Sequence, residues 1–329
     1  MPNLPTTELI TDLKNGDRQA LARAITLAES RRKDHQKMAE DILDACSGHS
    51  EASIRIGITG VPGVGKSTFI ESFGNYLIHE KGKKVAVIAV DPSSVKSKGS
   101  ILGDKTRMST LAASQSSFIR PSPSSGSMGG VGLATREIIL LCEAAGYDVI
   151  LVETVGVGQS ETEVKDIVDF FMLLLLPGAG DELQGIKRGI IELSDAIFIN
   201  KADGDNLVRA KQAKAAYGSA LQLFPPAESG WKTAVEMCSG LEGDNIELAW
   251  KTIMEYVQQT KDNGFFGSQR KKQLEDWFNH ATESRILESF QERAEFQDGM
   301  AHYRQKVMNA ELSPRKASRL LVEEINSLK

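Results

Sequence analysis

The chain is poor in the residues that would mark it as secreted, metal-storing or membrane-bound. Among 329 residues there are three cysteines, Cys46, Cys142 and Cys238. They lie far apart and never as C-x-x-C, which excludes a disulfide framework and fits a reducing compartment. The five histidines, His35, His49, His79, His280 and His302, form no cluster with them, and this speaks against a metal store. No long basic run occurs and the formal net charge is −5, so nucleic acid is not expected as the main ligand. The start, Met1-Pro2-Asn3-Leu4, lacks the basic-then-apolar order of a secretory signal. The longest apolar run, 170–176, is far too short to span a bilayer and reads as a buried strand. With 41% hydrophobic and 25% charged residues, the expectation is an ordinary cytoplasmic globular protein with no membrane segment.

What is present centres on Gly60, Val61, Pro62, Gly63, Val64, Gly65, Lys66, Ser67 and Thr68, which fit the phosphate-loop pattern G-x-x-x-x-G-K-[ST] at every fixed position. A strand-like run, 54–59, precedes the loop. A helix-spaced set (Phe69, Ile70, Phe73, Leu77, Ile78) follows it. Glycines let successive N–H groups turn inward as an anion nest at a helix N-terminus. Lys66 is expected on the β- and γ-phosphates and the Ser67 hydroxyl on Mg²⁺. The chain is therefore expected to bind a nucleoside triphosphate.

Further apolar runs, 85–90, 149–152, 170–176, 196–199 and 233–237, with a short candidate at 118–120, alternate with helical stretches. Near-continuous Val/Ile/Leu runs separated by helices predict an α/β fold, a largely parallel sheet with helices on both faces. Ligands in such sheets sit beyond the carboxyl ends of the strands. Asp91, Glu153 and Asn200-Lys201-Ala202-Asp203 fall there. The helical spacing of residues 1–50 predicts an N-terminal extension, 51–260 the nucleotide-binding domain, and 261–329 a helical arm. Asn263-Gly264 and Gly267-Ser268 read as a hinge before that arm, and Ser313-Pro314 as the N-cap and first residue of its last helix.

Asn200-Lys201-Ala202-Asp203 matches N-K-x-D. The Asp203 carboxylate is suited to accept both the N1–H and the exocyclic N–H of guanine, a donor pair that adenine lacks. Asn200 is expected to brace the loop and Lys201 to lie along the base. The backbone N–H groups of Cys238-Ser239-Gly240-Leu241, Ser239 and Gly240 in particular, are candidates for the guanine O6. Glu153-Thr154-Val155-Gly156 stands where many GTPases carry D-x-x-G: the carboxylate would serve Mg²⁺ through water, and the Gly156 N–H would sense the γ-phosphate. Asp91 and Asp104 are further carboxylates for the metal. Because Mg²⁺ takes few protein ligands, Ser67, Asp91, Asp104 and Glu153 cannot all be inner-shell at once. In the glycine-flanked loop 178–188, Lys187 or Arg188 is placed to stabilise transition-state charge when a partner presses the loop inward. Gln159 is a candidate for positioning water. Lys66, Asp91, Asp104, Glu153 and Lys187 thus form the catalytic set.

The stretches GITGVPGVGKST (57–68), VIAVDPSS (87–94), GSILGDKTRM (99–108), ETVGVGQSE (153–161), PGAGDELQGIK (177–187) and NKAD (200–203) together resemble the bacterial MeaB/ArgK-type GTPases, whose human relative is the methylmalonic aciduria type A protein. The resemblance implies a P-loop GTPase of the SIMIBI class, dimeric through its C-terminal helices and acting as a G-protein chaperone. The partner it implies is adenosylcobalamin-dependent methylmalonyl-CoA mutase or a related acyl-CoA mutase, with GTP hydrolysis gating cofactor loading and protecting or rescuing the mutase. Under the resemblance Asp91, Asp104 and Glu153 are magnesium and switch carboxylates, and Asp181 and Lys187 belong to an additional switch that answers the mutase. Cobalamin would belong to the partner, with no site on this chain. Two other readings are a P-loop kinase or ATPase, such as the amino-acid-transport kinase of an older label for some relatives, and a metal-delivery GTPase of the same broad fold. GTP-over-ATP preference separates the first from a GTPase; the absence of a Cys/His cluster argues against the second.

Overall fold

The computed structural model describes residues 5–30, 32–48, 53–91, 108–123, 130–154, 160–178 and 188–327. Three amphipathic helices come first: α1 (Thr6–Lys14), α2 (Arg18–Ala28) and α3 (Lys33–Cys46). Asp17 caps α2 by accepting from the Ala20 N–H at 2.7 Å. Seven strands follow: β1 (Ile54–Gly60), β2 (Val85–Asp91), β3 (Ser117–Pro123), β4 (Val149–Thr154), β5 (Phe170–Leu175), β6 (Ala196–Ile199) and β7 (Ala234–Met237). They form one sheet in the order β3-β2-β4-β1-β5-β6-β7, and every pairing is parallel. A fully parallel sheet needs a crossover between successive strands, and the helices between them supply it.

Strand side chains alternate between two cores. On one face Ile56, Ile58, Val85, Val87, Met172 and Leu174 pack with Phe69, Phe73 and Leu77 of α4 (Lys66–His79) and with Ile253 and Tyr256 of the helix Ile246–Asp262. On the other, Ala86, Ile88, Val90, Ile150, Val152 and Phe171 meet α1–α3 and the helix Gly130–Ala144. Leu173, Leu175, Ile197 and Ile199 continue that second face against the helix Leu207–Leu221. Burial on both sides explains why these strands read as unbroken apolar runs.

Two expectations change in detail. The strand at 118–120 is longer, because an edge position tolerates Pro121 and Pro123, whose missing N–H groups no neighbouring strand needs. Gly267-Ser268 is not a hinge: it lies in the first turn of the helix Phe265–Gln291. The Ser268 N–H donates to the Gly264 carbonyl at 3.2 Å, so the pair continues the helix instead of interrupting it. The turn is confined to Asn263-Gly264, between that helix and Ile246–Asp262.

At the amino end of the sheet a buried polar network fastens the first turns of this helix. Arg270 grips Asp169 with both guanidinium arms, at 2.8 and 2.6 Å, and donates to the Ser53 carbonyl at 2.8 Å. Arg55 makes a bidentate pair with Glu143 at 2.7 and 2.9 Å. Gln273 donates to the Val168 carbonyl, and Arg136 donates to the Gln273 carbonyl. Contacts divide the chain into one unit ending at Leu274 and another running from Glu275. In the second unit the helices Ala294–Met308 and Pro314–Ser327 meet, and the Tyr303 hydroxyl donates to Glu324 at 2.9 Å. Ser313 caps the last helix through the Lys316 N–H at 3.3 Å.

Removing one partner of a buried ion pair strands the other's charge. Arg270→Ala is therefore expected to lower unfolding stability in urea by about 3 kcal/mol, whereas Arg319→Ala, which breaks an exposed i,i+4 pair, should change it little.

Candidate functional site

The phosphate loop leaves β1 at Gly60 and enters α4 at Lys66, beside the carboxyl ends of β4 and β5. Gly65 sits at φ +94°, and a Cβ there would come within 2.9 Å of the Asn200 amide nitrogen. Only glycine both adopts this backbone and allows that approach. The Lys66 ammonium is buried and donates to the Gly60 carbonyl at 2.7 Å. Burial pulls its pKa below the usual lysine value, while Glu153 and Glu161 oppose that shift. The Ser67 hydroxyl donates to Glu153 Oε1 at 3.1 Å, and Glu153 is itself buried. Directly alongside, Thr154 donates to Thr59 at 2.8 Å, tying β4 to β1 at the level of the loop. A hydroxyl and a carboxylate converging here make a hard-oxygen donor pair of the kind Mg²⁺ takes.

The base-side element lies after β6. The Asn200 side chain spans two loops: its Nδ2 donates to the Val64 carbonyl at 2.9 Å, and its Oδ1 accepts the Gly240 N–H at 2.9 Å. Cys238 Sγ approaches the same oxygen at 3.6 Å; burial pushes that thiol up to about 12, so it stays protonated as a donor. Lys201 adopts φ +59°, and its side chain passes next to Gly65. Asp203 Oδ2 accepts from the Ser239 hydroxyl at 2.5 Å, and Ser239 Oγ in turn accepts the Glu242 N–H at 3.1 Å. The loop is thereby closed on the carboxylate.

The structure thus brings together Gly60 to Thr68, Glu153, Asn200, Lys201, Asp203, Ser239 and Gly240 at one edge of the sheet. Asp91 ends β2 at that edge, and its side chain lies outside the described residues. Asp104, Gly156, Gln159, Asp181 and Lys187 lie outside them altogether, as does the side chain of Arg188.

Two features escaped the sequence. Glu161, within the ETVGVGQSE stretch, is almost fully buried and acts electrostatically on Lys66. Its conspicuous placement eight residues after Glu153 was the available signal. The other is the hydrogen-bond state of the loop after β7. The Ser239 N–H donates to the Asp244 carbonyl, the Gly240 N–H to Asn200, the Glu242 N–H to Ser239 Oγ and the Gly243 N–H to the Ser239 carbonyl. Among the described residues, that leaves the Leu241 N–H as the donor in 239–243 without a partner. No residue pattern carries that information.

A phosphate loop joined through N-K-x-D to a closed base-side loop, on an all-parallel sheet, defines a P-loop GTPase. Residues 21–295 match the family described as Methylmalonyl Co-A mutase-associated GTPase MeaB. This chain belongs to the MeaB family. It is 47% identical to the GTPase ArgK of Escherichia coli (strain K12), over 97% of this chain and 96% of that one. It is 44% identical to the mitochondrial methylmalonic aciduria type A homolog of Mus musculus, covering 97% and 79% of the two chains. Among solved structures, one titled LAO/AO transport system kinase superposes with a TM-score of 0.76 at 40% identity, covering 99% of each chain. The chain binds GTP and GDP and hydrolyses GTP. No helix among the described residues is long and apolar enough to cross a membrane.

Asn200 is 1% exposed and holds one group on each side. In the nucleotide-free protein Asn200→Ala leaves a buried carbonyl and a buried amide unpaired. It is expected to lower the urea-measured stability by about 2 kcal/mol; an unchanged value would mean that Asn200 serves the nucleotide alone.

Proposed function

We propose that this GTPase is a nucleotide-switched chaperone for an adenosylcobalamin-dependent mutase, methylmalonyl-CoA mutase or a related acyl-CoA mutase, whose cofactor loading it gates and whose activity it protects or restores. The observation that carries the guanine-nucleotide half is the Asn200 bridge, which makes the phosphate loop and the base-side loop one unit. The mutase half is supported by the family's description and by the name of the mouse relative. The cobalamin belongs to the mutase in this reading, and the chain acts in the cytoplasm.

In the working cycle the loop amides hold the triphosphate and Lys66 leaves the Gly60 carbonyl for the β- and γ-phosphate oxygens. Ser67, with Glu153, Asp91 and Asp104, would hold Mg²⁺, which would supply charge neutralisation to the phosphates. Asp203 accepts the guanine N1–H and N2–H while the Ser239 hydroxyl keeps its carboxylate turned toward the base. Gly156 reports the γ-phosphate, and Asp181 with Lys187 answers the mutase. Leu274, Phe278, Ile286 and Leu287 are solvent-exposed on one helix; exposed apolar side chains of this kind support pairing of two copies through their C-terminal helices.

Two measurements test these halves separately. Asp203→Asn loses two charge-assisted hydrogen bonds and is expected to weaken GTP binding by about 100-fold while gaining xanthosine triphosphate. Retained preference for GTP would remove the base-reading role. GTP turnover measured with and without the purified mutase should rise on its addition, and pull-downs should differ between GDP and a non-hydrolysable GTP analogue. Equal rates and equal capture would sink the chaperone reading and leave the GTPase standing.

A further inference from the structure

Helix α4 does more than start the phosphate loop. Serines and threonines inside helices commonly return their hydroxyl hydrogen to the carbonyl four residues back. Thr11, Thr26, Ser219, Thr252, Thr260 and Thr282 of this chain do so. Ser72, midway along α4, instead donates across the molecule to the Gly240 carbonyl at 2.5 Å. Gly240 is pressed close enough for this because it lacks a side chain: a Cβ there would stand 2.9 Å from the backbone of Phe69.

The Gly240 carbonyl and the Leu241 N–H belong to one peptide unit, and no peptide among the described residues is cis. In a trans peptide the two groups point in opposite directions. Fixing the carbonyl toward α4 therefore aims the Leu241 N–H away from α4. That N–H is the unpartnered one of the turn, and the turn itself is closed onto Asp203 through the Ser239 hydroxyl. A loop amide with no partner beside the carboxylate that takes the guanine N1 edge is placed for the neighbouring acceptor, O6.

We propose that Ser72 is a positioning residue for guanine specificity. Its hydroxyl sets the plane of the 240–241 peptide, so that the Leu241 N–H is held ready for O6 instead of turning to find a partner elsewhere. Adenine carries an amino donor at the same place, which would meet the N–H head-on. Ser72 thus adds discrimination on the side of the base that Asp203 does not reach. The inference rests on the guanine reading of the site and deepens it by naming what orients the second contact.

The test is calorimetric titration of the full chain and of Ser72→Ala and Ser72→Thr with two nucleotides. These are GTP and the triphosphate of 6-thioguanosine, which keeps the N1–H and N2–H donors but has a weakly accepting sulfur in place of O6. Ser72→Ala is expected to weaken GTP by about tenfold, the loss of one well-placed hydrogen bond. It should leave the affinity for the thio nucleotide unchanged, and Ser72→Thr, which keeps the hydroxyl, should restore GTP binding. Equal weakening for both nucleotides would make Ser72 a packing residue and overturn the proposal, as would undiminished GTP affinity in Ser72→Ala. Asp203→Asn run in parallel tells the two readings apart: if it too keeps GTP over ATP, the guanine assignment has failed, whereas a normal Asp203 result beside a silent Ser72→Ala fails Ser72 alone.

Discussion

The carboxamide of Asn200 is the constraint on which the site depends. Carboxamides offer a donor and an acceptor in a fixed plane. Here the donor holds Val64, in the loop proposed to face the triphosphate, and the acceptor holds Gly240, in the loop proposed to face the base. Neither a carboxylate nor an aliphatic side chain satisfies both groups, and both bonds are shielded from water. The two loops follow different strands, β1 and β7, which stand three positions apart in the sheet order. Without a side chain spanning that gap, the distance between phosphate and base subsites would depend on two independent loops. Preorganisation of this kind lowers the ordering cost of binding.

The fold was legible because burial on both faces leaves a strong mark on sequence. β2, β4, β5 and β6 read as apolar runs for the same reason that they pack. Where burial is one-sided the mark fades: β3 at the edge carries Arg120, Pro121 and Pro123 and showed only its three-residue middle. The Gly267-Ser268 misreading has a similar root. Glycine-serine is a turn signal out of context, and a first helical turn is the part of a helix least sensitive to it. The polar network at the other end of the sheet could not be read at all. Its partners, Arg55 with Glu143 and Asp169 with Arg270, are brought together only by the completed fold.

At the site the division falls between groups fixed by local chain geometry and groups fixed by encounter. The phosphate loop is one continuous stretch, so its pattern carries its shape. N-K-x-D likewise names its own residues. The partners those residues find are a different matter: that Asn200 would take up the Gly240 amide, or that Ser72 would forgo its own helix for the Gly240 carbonyl, follows from how close α4 lies to the loop after β7. Glycine at 240 permits that closeness, and a lone glycine in a turn gives no sign of which neighbour it is making room for.

The contacts of Lys66 show how the site holds a buried charge. A buried ammonium with no anion would be costly. The Gly60 carbonyl takes its hydrogen, and Glu153 and Glu161 supply opposite charge from the side of the sheet where the metal is proposed to bind. Burial still dominates, for the lysine pKa lies below its ordinary value. A triphosphate therefore meets a cation whose present partners compensate it incompletely. In the proposed reading, transfer of Lys66 from a neutral carbonyl to phosphate oxygens relieves a desolvation that the fold has already imposed. The base subsite is built differently: the Asp203 carboxylate is held by a hydroxyl and is only partly buried. In the proposed reading the phosphates thus supply the strength of binding, and the guanine contacts supply the choice between purines.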